Sequence, residues 1–226
     1  MSQFYQYNWP ACNAGRNEIA LQQNVAAGGN VLLNGSYGKS LNSIANGMAR
    51  NLYITIGDAV GNVTFTVIGT QNGAMVTDSI IVLNVNPFNA SGITAFETIT
   101  SITANIAVAN VIIGVGLVGF MPLILVNTEK TNVGEMSFAL SLSGTGTAII
   151  YQSLANLSFS GLPYAPKVGD VRVLSPSLFP WNIQANGGAQ IVNPKLIVPL
   201  NVCQNILIEW TATGVNSTLQ MQFLQI

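Results

Sequence analysis

Apolar and polar residues along this chain alternate with a period of two or gather in short β-branched runs, and hardly anywhere follow a helical period. Asn51 to Ile56 (NLYITI) and Val63 to Ile68 (VTFTVI) read as strands. The GDAVGN between them, with Gly57, Asp58, Gly61 and Asn62, predicts a hairpin-like connection. The next break, Gly69 to Gly73 (GTQNG), ends in Asn72-Gly73, a strong tight-turn dipeptide. Ala74 to Val85 predicts a further strand closed by Asn86-Pro87, and Phe96 to Thr103 and Asn110 to Gly114 predict two more.

The second half continues in the same style without repeating the sequence. Glu135 to Ser143 (EMSFALSLS) sets Met136, Phe138, Leu140 and Leu142 against small polar residues, the mark of a half-buried strand. Ala148 to Tyr151, Val171 to Leu174, Gln190 to Val192, Leu196 to Leu200 and Ile206 to Thr211 predict others. Ser217 to Ile226 places Leu219, Met221 and Phe223 at period two. Asn, Gly, Ser and Thr recur every few residues, which weakens helix interiors and favours turns. The pattern predicts an all-β chain, sandwich-like or jelly-roll-like, built from two packed β modules over 24–128 and 129–226. The boundary is expected in Glu129 to Gly134. Residues 1–23 differ, because Phe4, Tyr5, Tyr7 and Trp9 crowd a stretch without strand or helix period. An extended N-terminal arm is expected there. It can fold back over its own core or dock on a neighbouring subunit with its aromatics as anchors. The docking arm is favoured, so these four aromatics are the candidate interface residues.

Composition changes the question from chemistry to contact. Only 7% of the 226 residues are charged, none is histidine, the net charge is −1 and 49% are hydrophobic. A typical domain carries about 25% charged residues. A diffusing protein this poor in charge risks self-association, so much of its surface is expected to meet other proteins. Arg16, Lys39, Arg50, Lys130, Lys167, Arg172 and Lys195 are scattered, which argues against nucleic acid as a partner. Ala107 to Val126 is uncharged and of membrane-spanning length. Gly114, Gly116, Gly119 and Pro122 interrupt it, however, and no basic flank supports insertion. Two buried strands joined by a glycine turn are expected instead, and no membrane. The first residues have neither a basic start nor a continuous apolar core, so no secretory signal is expected. Cys12 and Cys203 can pair, although free buried thiols are the plainer reading.

Catalytic motifs fail one after another. Without histidine, neither a Ser-His-Asp nor a Cys-His site can be assembled. The acids Glu18, Asp58, Asp78, Glu97, Glu129, Glu135, Asp170 and Glu209 are dispersed, with no calcium-loop spacing. Gly114-Val-Gly116-Leu-Val-Gly119 satisfies G-x-G-x-x-G, but a dinucleotide site needs a helix to begin there, and Pro122 stands in its way. The N-x-S/T triplets at Asn62, Asn89, Asn156 and Asn216 are what a chain rich in these residues yields by chance. No catalytic, metal or cofactor site is expected, and no enzymatic activity.

One ordered set of small features remains. NVAAGGNVLLNG (Asn24 to Gly35) is a small-residue run, and Arg50 precedes NLYITIGDAVGNVTFTVIGT. A G-T-x-x-G turn follows (Gly69, Thr70, Gly73), then VTDSII, Phe96, the I-T-S-I-T of Ile99 to Thr103 and the V-x-x-G of Val111 to Gly114. In order and spacing, residues 24–116 resemble a module of tailed-bacteriophage structural proteins. The chain departs from that module in its sparse acids and in the apolar LNVNPFNASGIT of Leu83 to Thr94. The resemblance implies a β-sandwich subunit of a virion, assembled in the host cytoplasm and carrying no catalytic residue. It does not fix the location on the particle; the expected assembly is a homo-oligomer, with a trimer suited to a lattice site, in contact with partners such as a major capsid protein. Capsid decoration is the leading expectation. A tail, connector or fibre-base component and a jelly-roll coat protein are the structural alternatives. A carbohydrate-binding module stacking sugars on Trp9, Trp181, Trp210 or tyrosines is the alternative of another class.

Overall fold

A computed structural model describes residues 17–37, 49–58, 61–71 and 73–119 in full. Elsewhere it describes the backbone of strands at 2–8, 120, 124–125, 136–143, 146–153, 182–183, 190–191, 196–200, 205–212 and 218–225. Among the described residues every regular element is a strand, and no helix is long and apolar enough to cross a membrane. The chain divides into two compact units, one of which spans Cys12–Gly119.

That unit holds β2 (Ala20–Val25), β3 (Ala49–Thr55), β4 (Val63–Gln71), β5 (Ala74–Val82), β6 (Asn89–Ser91), β7 (Thr98–Ala104) and β8 (Val108–Phe120) up to Gly119. β2, β8, β3 and β6 lie side by side in that order, and β5, β4 and β7 form a separate three-stranded sheet. The alternation in β4 decides which way its sheet faces. Val63, Phe65 and Val67 are buried, while Thr64, Thr66, Ile68 and Thr70 between them are only half-buried. The buried set joins Ile80 and Val82 of β5, Ile99 and Ile102 of β7, Leu52 and Ile54 of β3, and Val111, Ile113 and Val115 of β8 in one apolar core. Sheets with one buried face each, packed through a shared core, make a β-sandwich.

The chain does turn between β4 and β5, as expected: Gln71 pairs with Ala74, and Gly73 has a φ of +72°. The GDAVGN hairpin, in contrast, does not form. β3 and β4 belong to different sheets, so this connection crosses between them. The reason lies just past β3. The Gly57 N–H donates to Ala109 O at 3.2 Å, the Ile56 N–H to Phe88 O at 3.0 Å, and Asp58 bridges Ala109. The chain therefore keeps bonding to β8 and the segment before β6 instead of turning back.

The glycine turn expected within Ala107 to Val126 is also absent. β8 is one strand of 13 residues that runs through Gly114, Gly116 and Gly119. A Cβ on Gly116 would collide with the Asn51 carboxamide, so the glycine serves close approach rather than a turn. The same strand disposes of the G-x-G-x-x-G motif, since all three glycines are strand residues and no helix starts at them.

The other unit is described through its backbone. β1 (Ser2–Asn8), β9 (Ile124–Leu125), β10 (Met136–Ser143), β11 (Gly146–Ser153), β12 (Asn182–Ile183), β13 (Gln190–Ile191), β14 (Leu196–Leu200), β15 (Asn205–Ala212) and β16 (Thr218–Gln225) belong to it. One sheet runs β1-β16-β10-β14, and β11 pairs with β12, β13 and β15. Most strands read from the sequence of this half are present at their expected places. The expected strand over Val171 to Leu174 lies outside the described residues, as do Cys12, Cys203, Trp181 and the boundary region 129–134.

Residues 1–23, expected as an arm without strand character, contain β1 and the start of β2. β1 pairs antiparallel with β16, setting Tyr5 opposite Met221 and Tyr7 opposite Leu219. Aromatic residues favour strands. The backbone of Phe4, Tyr5 and Tyr7 thus belongs to a sheet of its own chain, and Trp9 lies outside the described residues.

Candidate interaction surface

An unpaired strand edge invites pairing with other chains, and proteins usually defend it with charge, above all lysine. The unit over Cys12–Gly119 instead engages parts of its edges with side-chain amides, a backbone segment and one carboxylate. At β2, Gln23 behaves like an extra peptide unit: its Oε1 accepts the Leu32 N–H at 2.8 Å and its Nε2 donates to Leu32 O at 2.9 Å. Nearby, the Leu21 N–H donates to Asn34 Oδ1 at 2.9 Å. At β7, the backbone of Gly28 to Val31 takes the edge through Gly28 N–H to Ala104 O and Val31 N–H to Ile102 O, both 2.8 Å. At β5, which ends its sheet, the Asp78 carboxylate accepts the N–H groups of Ser79, Ile93 and Thr94, each at 2.9 Å.

The segment Gly92–Glu97 that Asp78 holds is fastened from several strands at once. Asn51 of β3 donates from Nδ2 to Gly92 O at 2.9 Å, and its Oδ1 accepts the Val118 N–H at 3.2 Å. Gln71 of β4 donates to Ala95 O at 3.1 Å. Arg50 and Phe96 exchange both backbone bonds, at 3.0 and 2.8 Å. The Arg50 side chain is fully buried and donates from Nη2 to Gly116 O. Buried polar groups need partners, and Asn51, Gln71 and the Arg50 Nη2 have backbone partners in this unit. Arg50, the second residue of β3, is therefore part of the frame that binds the strands and the Gly92–Glu97 strap together.

The outer face of the β5-β4-β7 sheet is a broad surface that this unit presents. Register rows across it read Met75–Thr70–Thr98, Thr77–Ile68–Ser101 and Ser79–Thr66–Thr103, with Ile81 beside Thr64. No ionisable side chain stands in these rows; Asp78, the only acid of β5, is buried. The Thr70 and Thr98 hydroxyls are 2.6 Å apart and bond each other. Met75 is 76% exposed, Val85 66% and Leu83 55%, and the last two stand just past the end of β5. Such a face can exclude water against another neutral surface without stranding a charge.

Among the described residues no three His, Cys, Asp or Glu side chains come together. Gln23, Asn34, Asn51 and Asp78 escaped the sequence reading. Asp78 alone left a signal there: in AMVTDSIIV it shares the inward register with Ile80 and Val82, where an acid must find partners. Compared with known proteins, the chain matches no family model and no curated protein.

Proposed function

We propose that the chain is a non-catalytic structural subunit of a virus particle, which decorates or cements a capsid through contacts with neighbouring subunits. It works as a homo-oligomer, a trimer on a lattice site, and buries neutral, hydroxyl- and amide-rich surface against copies of itself and the capsid protein. The observation that carries this reading is the uncharged outer face of the β5-β4-β7 sheet. A face of that kind, in a chain only 7% charged, is better suited to permanent contact than to solvent. The motif order over residues 24–116 adds the virion as its setting.

The test places charge on that face. Thr77→Lys combined with Ser79→Lys changes two exposed side chains that no core residue needs. A buried, unpaired charge costs well over the ~1.4 kcal/mol that corresponds to tenfold in affinity. Occupancy on particles is therefore expected to fall at least about tenfold, with the circular dichroism spectrum unchanged. Unchanged occupancy of a folded double variant would overturn the proposal.

A further inference from the structure

Asn34-Gly35 is a reactive pair held closed. In an Asn-Gly pair the glycine backbone nitrogen can attack the Asn side-chain carbonyl carbon, because no Cβ obstructs the approach. The attacking N–H loses its proton, the C–N bond to the side-chain amide breaks and ammonia leaves. Water then opens the succinimide at either carbonyl, giving aspartate or isoaspartate. Ring closure needs a mobile nitrogen and a carbonyl free to rotate onto it.

Neither is present here. The Gly35 N–H donates to Ile19 O at 3.0 Å, and Asn34 Oδ1 accepts the Leu21 N–H at 2.9 Å. Gly35 is buried, and a Cβ there would run into the carbonyl oxygens of Asn17 and Glu18. The next fixed point is the Tyr37 N–H, which donates to Glu18 O at 2.7 Å. Nucleophile and electrophile are thus each bound to a different part of the 18–21 segment.

We infer that Asn34 is a latent deamidation site, shut by the fold and opened only when the 31–37 segment detaches from β2, and that its isoaspartyl product prevents reclosure. The two products differ in consequence. Aspartate keeps an acceptor for the Leu21 N–H. Isoaspartate inserts an extra backbone carbon between residues 34 and 35, which displaces Gly35 from its slot and uncovers the β2 edge. The modification would therefore turn a closed edge into an open one, without any enzyme.

The experiment is peptide mapping by mass spectrometry after timed incubation at mildly alkaline pH, native and in urea, with fragmentation that distinguishes the two products. Asn34 is expected to deamidate at least about tenfold more slowly in the native chain than in urea, since a closed segment reacts only while locally open. Equal rates in the two conditions, or no reaction in urea, would overturn the inference. Chains aged in urea and refolded give the second readout, hydrogen exchange at Leu21, Gly35 and Tyr37. Isoaspartyl chains should exchange faster there than the Asn34→Asp variant, and equal protection would overturn the claim about the edge.

Discussion

Asp78→Ala is expected to destabilise the Cys12–Gly119 unit by about 3–5 kcal/mol. The carboxylate accepts three backbone N–H groups, from Ser79, Ile93 and Thr94. Each donor left without a partner in a buried place costs ~1–3 kcal/mol. The sum stays below the maximum because Ile93 is 47% exposed, so water reaches part of the strap. Asp78→Asn retains one carbonyl oxygen and should lose about half as much. Hydrogen exchange at Phe65 and Val67 in β4 reads the loss in this unit directly, since the three tryptophans lie outside the span Cys12–Gly119. A shift below about 1 kcal/mol for Asp78→Ala would show that the strap is held by its other fastenings.

Gly116→Ala should be comparably damaging although it adds a single methyl group. The new Cβ would occupy the place of the Asn51 carboxamide. Asn51 is 3% exposed and cannot move away without breaking its bonds to Gly92 O and Val118 N. Overpacking of this kind costs ~1–3 kcal/mol, and an orphaned buried partner a further ~1–3 kcal/mol. Gly61→Ala is the control, because a Cβ at Gly61 meets nothing within 4 Å. Equal stability of the two variants would contradict the close approach of β8 to β3.

The contrast between those glycines shows what could be read from the chain and what could not. Strand positions were legible wherever alternation was strong: VTFTVI became β4 with its valines and Phe65 inward, and EMSFALSLS became β10. The turn between Gln71 and Ala74 was legible because turn chemistry is local. Strand partnership was not. GDAVGN has the residues of a hairpin, yet Gly57 and Asp58 bond to Ala109, a contact about fifty positions away that no local rule contains. Gly114, Gly116 and Gly119 look like punctuation, but Gly116 is required by one side chain of β3. Tyr5 and Tyr7 gained strand character only from Met221 and Leu219 at the other end of the chain. The amides that close the edges were invisible for the same reason. Gln23 and Asn34 are ordinary polar residues until the fold brings Leu32 and Leu21 against them.

Scarce charge takes on a physical meaning in this arrangement. Gln23, Asn34 and Asp78 engage edge and strap N–H groups without a lysine, and the outer face of β5-β4-β7 carries no ionisable side chain in its register rows. Contact between subunits would then be made by sheet faces and apolar loop residues such as Leu83 and Val85, not by strand addition.

The native mass of the full chain, measured by light scattering across a wide range of concentration and then on particles, reaches that claim most directly. The proposed role predicts a fixed multiple of the chain mass, three copies on a lattice site, that persists on dilution. A freely soluble single copy at every concentration, which leaves particles bare, would contradict it.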